Sequence, residues 1–230
     1  VIGHGAFGSA TGHAQYITAV GQQALFGSAS TTTGINGAVA IGHQSLYSIT
    51  SAAGSVASGY EASQALTSGA NQVSIGYQAG KALTTAANST FIGYQAGLTH
   101  TGANNVAIGD RAFANTDADS NSLASTQNVA IGNFAMGGAI NNTVTGAVAI
   151  GYYALGSATC GTSASKGVYI GYHANIYNGG GQNIVIGGNA MQTANGTETG
   201  NVAIGVSAMD SVDNDGSDYN TVVGNYAVRG

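Results

Sequence analysis

Asn105-Val106-Ala107-Ile108-Gly109-Asp110-Arg111-Ala112 is the stretch on which the fold turns. Val106 and Ile108 are β-branched and stand two apart around the small Ala107, the period of a strand and not of a helix. Gly109 has no Cβ, so it can turn the chain at positive φ or admit another backbone at close range. Three residues after it stands Ala112, a small residue that suits a tight slot.

Working outward, the same block returns along the whole chain. Its Gly stands at 3, 21, 42, 59, 76, 93, 109, 132, 151, 171, 187, 205 and 224, with gaps of 16 to 23 residues. Ile immediately precedes the Gly in ten of the thirteen copies, and the slot three residues after it is Ala in every copy but Ser45. The structural positions of the repeat therefore include Gly42, Gly76, Gly93, Gly109, Gly132, Gly151, Gly171 and Gly205, with Ala112 and Ala154. Thirteen copies occupy residues 1–230, so the chain reads as a single repeat domain without a second one. A short strand and a Gly corner cannot close a core alone, but stacked copies can. The expectation is an all-β fold, a parallel β-solenoid of about thirteen rungs. The large strand residues are expected to fill its core and the small ones to form a face that other chains approach closely, the alternative being that the small face lies against the interior of the coil. Spacing varies in Asn-, Ser-, Thr- and Gly-rich stretches, chiefly residues 113–127 and 209–219, which read as loops and as the expected place of receptor contacts.

Composition narrows the function. Of 230 residues 38 are Gly, 43% are hydrophobic and only 6% are charged, against roughly 25% charged in an average domain. Four Lys and Arg against nine Asp and Glu leave no basic patch to neutralise phosphates, which excludes nucleic acid as a partner. Moderate hydrophobicity with low net charge is not the signature of disorder. No apolar run approaches 18 residues, so membrane insertion is not expected in this segment. Cys160, the single Cys, can neither pair within the chain nor build a zinc site by itself.

Candidate chemistry is sparse. Gly3-His4-Gly5-Ala6-Phe7-Gly8 matches the dinucleotide fingerprint only formally, because Gly3 and Ala6 are repeat residues and no helix pattern follows to carry a pyrophosphate. The histidines at 4, 13, 43, 100 and 173 lack ligand spacing within one chain and read as exposed polar ladder residues, the alternative being an ion site where one His meets its symmetry mates across a trimer axis. Oxygen-rich loops containing Asp117 and Asp119, and Asp213, Asp215 and Asp218, are weak calcium candidates without the ligand order of an EF-hand. No other cofactor is indicated. Tyr60, Tyr77 and Tyr94 follow the Gly in three consecutive copies, so a stacked row is expected. Such a row either stabilises the sheet alone or contacts glycan. Glu61 and Glu198 are the only glutamates, which makes a paired-carboxylate site hard to nominate. The chain is therefore not read as an enzyme.

Asn88-Ser-Thr-Phe-Ile-Gly-Tyr-Gln-Ala96, Asn105-Val-Ala-Ile-Gly109, Asn128-Val-Ala-Ile-Gly132 and Asn201-Val-Ala-Ile-Gly205 resemble two related repeats. One is the head repeat of YadA-like trimeric autotransporter adhesins, and the other is the Ala-Ile-Gly-Tyr-Gln-Ala repeat of bacteriophage tail-fibre proteins. The likeness covers essentially the whole chain. It implies a left-handed β-roll, a homotrimer, an extracellular location on a virion or bacterial surface, and attachment to a host glycan or protein receptor. Tyr-Gln after Gly76 and Gly93, and the uneven spacing, look more like the phage-fibre version. Alternatives are a bacterial adhesin head and, from another class, a glycan-processing tailspike.

Overall fold

A computed structural model describes residues 1–8, 14–27, 34–115, 125–138, 143–156, 165–177, 180–193, 198–210 and 218–228. Every described repeat after the first forms one strand of three residues. They are β1 (Thr18–Val20), β2 (Val39–Ile41), β3 (Val56–Ser58), β4 (Val73–Ile75), β5 (Thr90–Ile92), β6 (Val106–Ile108), β7 (Val129–Ile131), β8 (Val148–Ile150), β9 (Val168–Ile170), β10 (Ile184–Ile186), β11 (Val202–Ile204) and β12 (Thr221–Val223). They build one parallel sheet in chain order, each strand paired with the next. Register is strictly in phase: Val106 lies beside Val129 and Ile108 beside Ile131. In the first copy Ile2 forms a single bridge to Val20. The fold is the expected parallel β-solenoid, and no described residue is helical.

One expectation is reversed. The small middle residue of the strand points into the core, where Ala40, Ala57, Ser74, Ala107, Ala130, Ala149 and Ala203 are fully buried. The flanking Val and Ile point outward, with Ile41, Ile75 and Ile108 at 42, 40 and 36% exposure. The reason is width. The interior is shared with the repeat Ala, buried at Ala62, Ala79, Ala112 and Ala154, and with the residue after it, buried as Leu25, Leu46, Phe113, Met136 or Leu155. That leaves the strand room for little more than a methyl group. Where β5 places Phe91 in its middle, the slot after the repeat Ala is emptied to Gly80 and Gly97, and a Cβ at Gly97 would stand 2.8 Å from Phe91 Cε1. Core volume is thus conserved by exchange between slots.

The repeat Gly is required by both backbone and neighbour. Gly76 has φ of +134°, and a Cβ there would lie 2.7 Å from the carbonyl carbon of Gly93 on the next rung. The turn that follows contains a feature not visible as glycine. Its second and fourth residues, such as Gln44 (+52°) and Leu46 (+49°), adopt left-handed backbone in every copy, with Gly at some of these slots. Left-handed backbone costs about 1–2 kcal/mol per ordinary residue. Hydrogen bonding offsets it: alternating left- and right-handed residues aim peptide groups up and down the rod, so that the Gln95 N–H donates to Tyr77 O at 2.8 Å and the Gly97 N–H to Ala112 O at 2.9 Å.

A polar ladder seals the corner before most of the strands, β3 to β7 and β10 to β12. The Asn128 N–H donates to Asn105 Oδ1 and the Ala147 N–H to Asn128 Oδ1, both at 2.9 Å. Asn183 and Asn201 repeat the device, accepting from the Asn201 and Asn220 N–H groups at 2.8 Å. Ser55, Gln72 and Ser89 serve the same slot earlier in the rod. This is why Asn opens the Asn-Val-Ala-Ile-Gly block: a buried backbone N–H needs an acceptor there.

Candidate functional site

In-phase register converts sequence slots into columns on the surface. The first residue after the repeat Gly forms one column and the second forms another beside it. In the first column His43, Tyr60, Tyr77 and Tyr94 stack in an unbroken row, with centroids 5.0, 5.3 and 5.3 Å apart and planes within 11° of parallel. The three tyrosines are 42–44% exposed. The sequence expectation of a row at Tyr60, Tyr77 and Tyr94 is met, and His43 extends it.

Alongside runs a ladder of amides. Gln44 donates to Gln23 at 2.8 Å, Gln78 to Glu61 at 2.9 Å and Gln95 to Gln78 at 3.0 Å. Arg111 closes it, donating to Gln95 Oε1 at 3.2 Å while its guanidinium lies 5.4 Å from the rings of both Tyr94 and Phe134. Lys81 pairs with Glu61 at 2.7 Å. Burial pulls the Glu61 carboxyl upward, but hydrogen bonds from Lys81 and Gln78 outweigh it and hold the group below the usual carboxylate range. The Tyr60 hydroxyl is correspondingly raised by hydrogen bonding to Glu61. Because the rings lie face to face, each of Tyr60 and Tyr77 has both faces covered, and the row presents ring edges, hydroxyls and amides. Such a surface offers hydrogen bonds to a ligand.

The columns change character after Gly132. Phe134 and Tyr153, both in the second column, stack at 4.8 Å and 12°. The next residue of that column, His173, does not continue the stack. It lies flat on Tyr172, its own chain neighbour, at 3.9 Å and 14°, and meets Tyr153 edge-on at 76°. Tyr152 stacks on Tyr172 at 5.3 Å in the first column. Between these rungs opens a cavity of about 420 Å³ lined by Tyr152, Tyr153, Gly156, His173, Ile176 and Tyr177. Partial burial lowers the His173 pKa from its ordinary value, and Gln192 Nε2 lies 3.3 Å from its Nδ1. The sequence shows these aromatics, but the break in stacking that opens the cleft depends on how His173 turns.

The other candidates separate. Asp117, Asp119, Asp213 and Asp215 lie outside the described residues. Asp218 is exposed and accepts the Thr199 N–H at 2.6 Å. Among the described residues no group of three or more His, Cys, Asp or Glu could hold a metal ion. Glu61 sits in the turn after β3 and Glu198 in the segment before β11, so the two glutamates are not brought together. His100 is not a surface residue at all. It continues the core row of Ile49, Leu66 and Leu83, lies 2.8 Å from Asn105 Nδ2, packs on Phe113 at 4.3 Å, and has its pKa lowered to about 3 by burial. The spacing of seven residues after the repeat Gly is the signal that places it there.

The expected loops are narrower than drawn from sequence. Phe113, Ala114 and Met209 are buried core residues, while 116–124 and 211–217 lie outside the described residues. Comparisons of the chain with protein-family models, curated proteins and solved structures give no match.

Proposed function

We propose that the chain is a structural and adhesive segment of an extracellular fibre, assembled as a parallel homotrimer and most like the shaft or receptor-binding part of a phage tail fibre. The observation that carries the reading is the outer face of the sheet. Two columns run along it from β2 to β11, Val or Ile at every rung except for Thr90 in one and Ser58 in the other, with Ile184, Ile186 and Ile204 still 41, 37 and 36% exposed near its end. A mainly apolar stripe of that length marks an interaction surface. Three parallel copies around one axis bring identical slots together, so the stripe is self-complementary at every rung. The chain contact is therefore made by large residues and not by the small ones that the sequence suggested. The outward amides and tyrosines are the groups available to a host-surface glycan or protein.

Light scattering on the purified chain tests the assembly. Three times 22.5 kDa is expected. Ile75→Asp with Ile108→Asp, both on the outer face, should reduce the mass to one chain while strand content persists. A wild-type chain that stays at 22.5 kDa at micromolar concentration overturns the trimer.

A further inference from the structure

We propose that the cleft between the turns after β8 and β9 binds one ring of a neutral hexopyranose. The inference deepens the adhesive reading above by naming the ligand class, and rests on that reading for its biological role.

Three features of the cleft point to this chemistry. The first is an aromatic face on which no second ring is stacked. In the row of the earlier rungs Tyr60 and Tyr77 are stacked on both faces. At Tyr153 Phe134 is stacked on one side only, while His173 and Tyr152 meet the ring edge-on, at 76° and 63°. The electron-rich face of a phenol ring attracts the weakly positive C–H groups on one side of a pyranose, much as it attracts the edge of another ring.

The second feature is shape and size. A volume of about 420 Å³ falls within the range of small-ligand sites, and the mixture of aromatic walls with a few polar groups is their usual lining. Ile176, 6% exposed, lines the cleft with an apolar surface, while Tyr152, Tyr153 and Tyr177 bring hydroxyls and His173 brings Nε2, its Nδ1 being engaged by Gln192. Hydroxyls and imidazole nitrogens can each donate or accept, which suits the alternating hydroxyls of a sugar.

The third is charge. The lining contains no Asp, Glu, Lys or Arg. Partial burial shifts the His173 imidazole toward its neutral form. A carboxylated sugar entering such a site would shed water without gaining a counter-ion, which selects for a neutral ring.

Saturation-transfer NMR on the full chain tests the site, using the methyl glycosides of glucose, galactose and mannose, with N-acetylneuraminic acid as the charged comparison. At least one neutral glycoside should receive saturation at its ring C–H groups. Tyr153→Asn should weaken its Kd by about tenfold or more, whereas Tyr77→Ala should leave it unchanged. Asn is chosen because Asn189 holds the same slot at φ of +56°, against +52° for Tyr153. If Tyr153→Asn does not fold, Tyr177→Ala, at a 49% exposed position, supplies the same readout. No binding by any of the three glycosides, binding unchanged in the variants, or equal binding of the acidic sugar overturns the proposal. Scattering on the same samples reports the trimer separately, so failure of the sugar site and failure of the fibre assembly are told apart.

Discussion

The rows at Tyr60–Tyr77–Tyr94 and at Phe134–Tyr153 begin with the same ingredients and end differently. In the first, one residue type fills one slot in three consecutive rungs, and the rings close on each other. In the second, aromatics occupy both columns at once, as Tyr152 with Tyr153 and Tyr172 with His173. His173 then finds a closer partner sideways, at 3.9 Å on Tyr172, than along its own column, where Tyr153 lies 5.8 Å away. The column is interrupted, and a cleft opens. A solenoid surface is therefore closed where neighbouring rungs agree and open where they disagree, even though the backbone beneath is the same.

The sameness of that backbone is the strongest way to test the comparison. Gly76→Val in the closed region and Gly151→Val near the open one should be equally destructive, because each side chain would be placed at φ near +133° and against the backbone of the next rung. Strain and overpacking together cost about 3 kcal/mol or more per chain. Circular dichroism should show loss of the folded state, or a large fall in Tm, for both. If Gly151→Val is tolerated, the ladder is looser at the open region than its geometry states.

A smaller and pH-dependent effect belongs to the core at the end of the closed region. There His100 takes the slot that Leu83 fills one rung earlier. Burial lowers its pKa from 6.5 to about 3, so the unfolded chain binds the proton more readily than the folded one. Stability is full above pH 6.5 and falls as the pH drops toward 3, at about 1.4 kcal/mol per pH unit for this group. Tm measured at pH 7 and pH 4.5 should fall further for the wild type than for His100→Leu, which restores the residue of the preceding rung. Equal falls would show that His100 titrates normally.

The smallest effect is at the rings. Tyr77→Ala removes two stacked contacts of roughly 0.2–1 kcal/mol each, whereas Tyr152→Ala removes two stacked contacts, to Tyr172 and His173, and an edge-on one to Tyr153. Each variant should lower Tm by a few degrees, and Tyr152→Ala by at least as much as Tyr77→Ala. A clearly smaller fall for Tyr152→Ala would mean that the rings of the open region hold each other less firmly than those of the closed row.

The sequence by itself determined the rung. Thirteen glycines at near-regular spacing, an alternating Val-Ala-Ile strand and a nearly invariant Ala leave only stacked parallel strands as a way to bury a core, because no single unit can bury its own. Gly109 and Ala112 were legible for the same reason, each being a residue whose lack of side chain is its function. Tertiary structure decided everything that depends on which side of the rung a residue takes. Alternation in Val106-Ala107-Ile108 says that two faces differ, but not which is inside, since that rests on the width left by Leu46, Phe113 and their counterparts across the coil. The place of His100 is recorded in its spacing from Gly93, which it shares with Ile49, Leu66 and Leu83, but the cleft beside Tyr153 existed only once successive rungs were laid in register. Contacts between rungs join residues 16 to 23 positions apart, and no local pattern records whether two rings so separated will meet face to face or edge to face.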